Sequence, residues 1–330
     1  MPNFPVRFDN YPIIDLSSNQ FHGSIPISLA NVTASYLSNN ALTIFKPFLC
    51  TEQSYRQTSF LGLSNNMLSR SLPDCWMHWT ELIVLNLENN KLSGNIPSSM
   101  GSLYQISTLR LSNNDISGIL PSSLKNCTGL QLLDVGQNNL NGEIPTWIGE
   151  YLTRLVVLRL KSNRFHGSLP LTLCQLDSNQ IMDLSLNHIS GVIPWCFHNF
   201  TPMVFKVDDY SSIVSSYHVD GSGGYERTYV NNEYITWKGK DYKYGRNLGL
   251  LRIIDLSSNR LTGEIPKTLT NLVELVQLNL SRNYLSGTIP ESIGKMKLLE
   301  SLDLSHNQLS SKIPMGLVDI SFFSFIGFVE

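Results

Sequence analysis

Four carboxylates, Asp134, Asp183, Asp255 and Asp303, stand in similar stretches of sequence, each between two apolar residues. Two acids held side by side could share a hydrolysis, one donating a proton while the other activates water or attacks. Their recurrence at one position of a repeated pattern reads instead as a solvated ladder along a single face. Seven histidines, His22, His166 and His306 among them, recur at repeat positions that read as exposed, without an HExxH, a Cys/His metal spacing or a G-x-S-x-G. The DGSGG run at Asp220 lacks the following Lys-Ser/Thr and the preceding strand of a phosphate loop. No catalytic group, metal set or cofactor cradle emerges, so the chain is expected to bind rather than to catalyse.

Five cysteines carry the remaining chemistry. Cys50 and Cys75 follow the repeat asparagine by 10 and 9 residues, and Cys174 and Cys196 by 11 and 9. Each pair therefore sits at nearly one height on adjacent units, where a bridge with Cα atoms about 5.5 Å apart can form. Cys50–Cys75 and Cys174–Cys196 are the expected disulfides, and Cys127, at an inward apolar position, the free thiol. Two disulfides point to an oxidising compartment. Four N-x-[ST] sequons, at Asn31, Asn126, Asn199 and Asn279, agree with a secreted glycoprotein. Asn279, between two leucines, is expected on the exposed strand face, where a glycan would fence off part of the surface.

These groups are carried by a repeat. Leu, Ser and Asn supply over a third of the 330 residues, only 15% are charged, and the asparagine that closes an LxLSxN motif stands at 19, 40, 66, 90, 114, 138, 163, 187, 259, 283 and 307. Most intervals are 24 residues, and the one from Asn187 to Asn259 is 72, three periods. A short motif used eleven times overrides the two ordinary domains that length alone suggests. In each unit LxL alternates apolar and polar residues, so it reads as a strand with one buried face, and stacking the units lays these strands into a parallel sheet. The asparagine bonds backbone groups that the following turn leaves without partners. The GxIP segment after it, with Gly turning the chain and Pro blocking a helix, predicts a 3₁₀ or irregular outer side. Arg70 and Ser311 stand where the turn glycine is expected.

A net charge of −2 and a pI near 6.4 exclude nucleic acid as the main partner, and 42% hydrophobic residues exclude a disordered chain. No apolar leader is visible at Met1, and the longest apolar run, Ile320 to Val329, is about half of a membrane span. Leucine nearly vanishes from 203 to 250, where seven of the thirteen tyrosines gather (Tyr210, Tyr217, Tyr225, Tyr229, Tyr234, Tyr242, Tyr244) with Trp237 and the basic Lys238, Lys240, Lys243 and Arg246. A stretch of this length without repeat character is either a functional insertion or disordered, and its alternating ERTYVNNEYITWKGK favours some strand content and hence order. Tyrosine, tryptophan and arginine supply much of the binding energy at interfaces, and the same tyrosines could also pack the insert onto the repeats.

LSSNRLTGEIPKTLTNLVEL and LSNNDISGILPSSLKNCTGL resemble the plant-specific leucine-rich repeat. That resemblance implies an α/β repeat solenoid, a right-handed superhelix with a parallel concave sheet, a 3₁₀ or irregular convex side and one non-repeat island. The insert resembles the island domain of plant receptor-like proteins: Tyr229 with Lys238-Gly239 fits Y-x8-K-G, and Lys238 with Tyr244 fits K-x5-Y. The expected organisation is repeats one to eight over 1–199, the island over 200–250, and repeats nine to eleven with a truncated end over 251–330. The resemblance further implies that a last repeat, an acidic stretch, one membrane helix and a short tail follow. The chain would then be an ectodomain fragment at the outer face of the plasma membrane. It would sense an extracellular, pathogen-derived protein or peptide and signal through an adaptor leucine-rich-repeat kinase and a somatic-embryogenesis-type co-receptor kinase. Two alternatives stand beside it: a secreted inhibitor of a microbial wall-degrading enzyme, of the polygalacturonase-inhibitor type, which the island disfavours, and a non-functional product of a truncated receptor gene. Expected binding residues are Tyr225, Arg227, Tyr229, Trp237, Lys238, Lys240 and Tyr244 in the island, then Arg252, Asp255 and Glu300 after it. Glu88, Arg110, Asp134, Arg159, Lys161, Asp183 and Asp255 are expected to form an exposed, mixed-charge strand surface suited to a protein ligand.

Overall fold

The computed structural model of the chain describes residues 12–51, 56–206, 214–219, 225–231, 233–237, 240–310, 312–320 and 325–327. It divides into two compact units, Met1–Asn141 with Val214–Tyr229, and Gly142–Ile213 with Val230–Glu330. Each unit is a stack of leucine-rich repeats built on the same local rules.

Every LxL segment forms a three-residue strand whose middle residue points into the leucine core. In the first unit the strands Ile13–Asp15, Ala34–Tyr36, Phe60–Gly62, Val84–Asn86, Thr108–Arg110 and Leu132–Asp134 pair in parallel, each with the next. In the second the series is Val157–Arg159, Ile181–Asp183, Ile253–Asp255, Gln277–Asn279, Ser301–Asp303 and Phe325–Gly327. Ile181–Asp183 pairs directly with Ile253–Asp255, in the register Ile181 to Ile253 and Asp183 to Asp255. Between these two strands, no strand among the described residues joins this ladder. The chain leaves it after the short helix Thr201–Val204 and returns through the 3₁₀ turn Arg246–Leu250.

The asparagine column locks each turn to its neighbours. Asn138 Nδ2 donates to the carbonyls of Val135 and Gly136 in its own turn and of Leu111 one repeat earlier, at 3.1, 3.0 and 3.0 Å, while its Oδ1 accepts from Ile116 N. The residue before each asparagine takes a left-handed conformation, from Ser18 to His306, with φ between 51° and 58°. A second device was not legible: the strand-closing Asp or Asn accepts from the backbone two residues on, as Asp134 does from Gly136 and Asp303 from Ser305. The strand acids are thus turn caps.

The segment before IP, read as a bare turn, also forms a strand in most repeats. Lys91–Gly94 pairs with Asp115–Gly118 in the first unit, and Arg260–Glu264 with Tyr284–Gly287 in the second. Its glycine has positive φ, 81° at Gly118, and Arg70 adopts 76° at the place where that glycine is missing. The outer side is made of 3₁₀ turns such as Ser122–Asn126 and Lys267–Asn271, each entered from a proline.

Candidate recognition surface

Residues flanking the middle of each strand face away from the leucine core, and the structure corrects their expected exposure. Arg110 is 1% exposed and Asp134 not at all, and Arg159, Lys161, Asp183 and Asp255 are buried as well; Glu88 is half-buried. In the second unit the reason is visible. The strand Glu233–Trp237 lies over this face: Lys161 Nζ donates to Thr236 Oγ1, and Gln277 Nε2 donates to the Thr236 carbonyl at 3.0 Å. Ile235 is buried beside them.

In the first unit the face is apolar over its first four strands. Ala34, Phe60 and Val84 form a buried cluster with Ile13, Tyr36, Ile83 and Tyr229 packed against it. Phe60 stacks on Tyr36, with centroids 4.3 Å apart, and meets Tyr229 at 5.0 Å and a 55° tilt. A Cβ on Gly62 would lie 2.9 Å from the Phe60 ring, so glycine leaves the slot in which that ring rests. Tyr229 is here an anchor whose ring is what matters. Tyr229→Ala should lower the stability of the first unit by about 1–2 kcal/mol through lost ring contact and burial, whereas Tyr229→Phe should change it little. Urea titrations of the three proteins check this, and equal midpoints would remove the anchor role.

The second unit's face is a charge cluster. Arg159 Nε lies 3.4 Å from Asp183 Oδ2, and Asp183 stands in register beside Asp255. Asp255 accepts from Ser257 N at 2.9 Å and from Asn279 Nδ2 at 3.2 Å. Burial and the neighbouring Asp183 charge push the Asp255 carboxyl up to about 7, against the pull of the Ser257 bonds and Lys161. Asn279 is half-buried, and its Nδ2, the atom a glycan would occupy, is the donor to Asp255. Asn31, Asn126 and Asn199 are each the last residue of a 3₁₀ turn on the outer side, the latter two exposed.

The remaining expected residues separate. Tyr244 and Glu300 come together: burial first, then the Glu300 charge, raises the Tyr244 hydroxyl above its ordinary value. Arg252 is a correction to any surface role. It is buried, its Nε donating to Pro202 O at 2.9 Å and its Nη1 to Gly249 O at 2.7 Å, so it ties the departing and returning ends of the excursion. Trp237 is half-buried and Lys240 exposed, opposite each other in the hairpin of Glu233–Trp237 and Lys240–Tyr244. Tyr225 and Arg227 fall on the strand Tyr225–Val230, which pairs with Val214–Val219. Lys238 lies outside the described residues. Thr236, Gln277 and Phe60 were missed; only Phe60, one of four apolar residues in a strand-face column with Ile13, Ala34 and Val84, carried a signal.

Cys50 is joined to Cys75 and Cys174 to Cys196, with Cα separations of 5.5 and 5.6 Å, and Cys127 is free and buried. Burial pushes the Cys127 thiol up to about 12, which leaves it almost without thiolate at neutral pH. A disulfide reagent should therefore find no thiol in the native protein within minutes and one per chain in denaturant without reductant. Two or more in denaturant would contradict the pairing.

Family models described as leucine rich repeat match residues 249–309 and, in three copies, 81–103, 105–127 and 129–151. Receptor-like protein EIX2 of Solanum lycopersicum is 45% identical over 279 residues, which is 82% of this chain and 26% of that protein. Among solved structures, the plant peptide hormone receptor RGFR1 in complex with RGF2 superposes with a TM-score of 0.73 at 27% identity, over 94% of this chain and 43% of that one. The Arabidopsis HAESA ectodomain with an extended IDA peptide gives 0.71 at 28%, over 96% and 49%. HAESA with IDA and the co-receptor SERK1 gives 0.68 at 26%, over 97% and 50%. The chain spans about a quarter of the curated relative it matches and no more than half of these receptor chains.

Proposed function

This chain belongs to the leucine-rich-repeat receptor-like proteins of plants, and from that premise we propose that it is part of the extracellular ligand-binding region of a cell-surface receptor. The observation that carries the reading is the 45% identity to a tomato receptor-like protein across 279 residues, both sides of the excursion included. The two disulfides fit the oxidising exterior. The ligand is a protein or peptide of pathogen origin, the origin resting on the island motifs and the peptide character on the hormone complexes among the structural neighbours. Signalling runs through partner kinases, an adaptor and a co-receptor of the kind that accompanies HAESA. The excursion is the island domain, and its exposed hairpin, with Tyr244 and Glu300 at one end, is the surface that meets ligand or co-receptor.

The chain, produced as a secreted glycoprotein and immobilised, tests this with microbial culture filtrates and a soluble SERK1 ectodomain. The expected result is a filtrate protein retained at sub-micromolar affinity and SERK1 binding that rises when that protein is present. No retention from any filtrate, with SERK1 binding the same with and without it, would overturn the proposal.

A further inference from the structure

The strand Lys240–Tyr244 has one partner, Glu233–Trp237, and among the described residues no strand pairs with its other edge. Which groups that edge presents follows from the register. Trp237 and Lys240 flank a two-residue connection and so exchange the closing hydrogen bonds. Antiparallel pairs alternate between bonded and non-bonded, so Ile235/Tyr242 and Glu233/Tyr244 are bonded while Tyr234/Lys243 and Thr236/Asp241 are not. The Thr236 carbonyl agrees, being turned away from its partner strand toward Gln277. On the opposite strand the N–H and C=O groups of Asp241 and Lys243 therefore point outward, a template for a third strand.

Around this edge the described exposed charges are of one sign, and Glu300, at the Tyr244 end, is half-buried. Lys240, Lys243 and Arg246 are exposed, in a chain whose net charge is −2. Tyr234 and Tyr242 are 42% and 49% exposed, and Lys243 Nζ stands 5.9 Å from the Tyr234 ring centre. The hairpin is pinned beneath by Ile235, Lys161 and Gln277, so the edge is held in place before anything binds. We propose that an extended acidic peptide segment of the ligand adds as a strand to the edge of Lys240–Tyr244. Its main chain bonds Asp241 and Lys243, and its carboxylates meet Lys243 on one face and Lys240 on the other. Tyr242 supplies apolar area with a polar tip. Main-chain pairing gives affinity and the cations give selectivity, the division of labour of strand addition generally. This deepens the receptor reading and rests on it.

A fluorescein-labelled nine-residue glutamate/threonine peptide, titrated by anisotropy against the whole chain, tests the proposal. Expected are saturable binding that weakens as salt rises, no binding of the lysine/threonine counterpart, and at least a tenfold loss with Lys243→Glu. The same acidic peptide N-methylated at alternate residues, which keeps its charge and loses its main-chain donors, should also bind at least tenfold more weakly. Unchanged affinity of the N-methylated peptide, equal competition by polygalacturonate of matched charge, or no binding at all would each overturn strand addition. A filtrate protein retained equally by wild type and Lys243→Glu would sink this inference while leaving the receptor reading intact.

Discussion

Alanine at Asn187 is expected to cost the second unit about 2–4 kcal/mol, roughly 1–3 kcal/mol for one buried backbone N–H left without a partner and the rest for three carbonyls that each lose one of two bonds. Asn187 Nδ2 donates to the carbonyls of Leu160, Leu184 and Ser185, each at 3.1 Å, and its Oδ1 accepts from Phe165 N at 3.0 Å. Each carbonyl keeps a second donor, Asn163 Nδ2 on Leu160, Asn259 Nδ2 on Leu184 and Ser162 N on Ser185, so the alanine variant leaves the Phe165 N–H as the group without its partner. A loss of that size is a large fraction of the stability of an ordinary domain. Asn187→Asp discriminates between shape and bonding. It retains the acceptor for Phe165, loses the donors and places a charge against three carbonyls, so it should be at least as damaging as alanine. At the exposed Asn19, whose Nδ2 donates, among the described residues, to Leu16 O and Ser17 O, alanine should cost about 1 kcal/mol or less, since water replaces the lost donor. Urea unfolding of the three variants gives the comparison. An Asn187→Ala midpoint close to that of Asn19→Ala would refute the ladder as a source of stability.

That ladder was legible because its cause is local. An asparagine at a fixed offset from LxL can do little else in a turn, and two cysteine pairs at one height on adjacent units can hardly avoid each other. The second row of strands was hidden because Gly before Ile-Pro carries the signature of a turn, and only the neighbouring repeat makes it a strand. The strand face was misread for a different reason. Alternation says that Arg110, Asp134 and Asp255 point away from the leucine core, and it is silent on whether another part of the chain lies across them. Thr236, on the covering strand of the second unit, and Gln277, which holds it from the face below, are residue types with no chemistry to draw attention. Tyr229 was singled out by its motif as a binding residue, while its aromatic neighbours Tyr36 and Phe60 lie far away in sequence and gave no hint of the slot in which it packs.

Asp255→Asn is expected to stabilise the protein at pH 7.5, against the usual result of altering a buried polar residue. The folded carboxyl titrates near 7 instead of at its ordinary 3.8, so between those values the folded chain holds a proton that the unfolded chain has released. Stability therefore falls as pH rises through that window and is lowest above it. The cause is geometric: Asp183 sits beside Asp255 in the sheet and has Arg159 as its partner, while the nearest cation to Asp255, Lys161, is shared with Thr236. The amide removes the charge and keeps an acceptor for Ser257, but it loses the acceptor that Asn279 uses. The net gain should be about 1–2 kcal/mol at pH 7.5, given that a tenfold change in proton affinity corresponds to about 1.4 kcal/mol. At pH 4.5, where the wild-type carboxyl is already protonated, the gain should vanish or reverse. Asp183→Asn carries the opposite sign. It relieves Asp255, yet it takes the Asp183 carboxylate away from the buried Arg159, and removing one partner of a buried pair costs up to about 3–5 kcal/mol. Thermal midpoints of the three proteins at the two pH values decide the matter. A wild type whose midpoint rises from pH 4.5 to 7.5, with Asp255→Asn following it in parallel, would place the uncompensated charge elsewhere. If instead the variant's curve is flat where the wild type falls, the grip of the strand face on Thr236 is itself tuned by pH, since Lys161 serves both Asp255 and that hydroxyl.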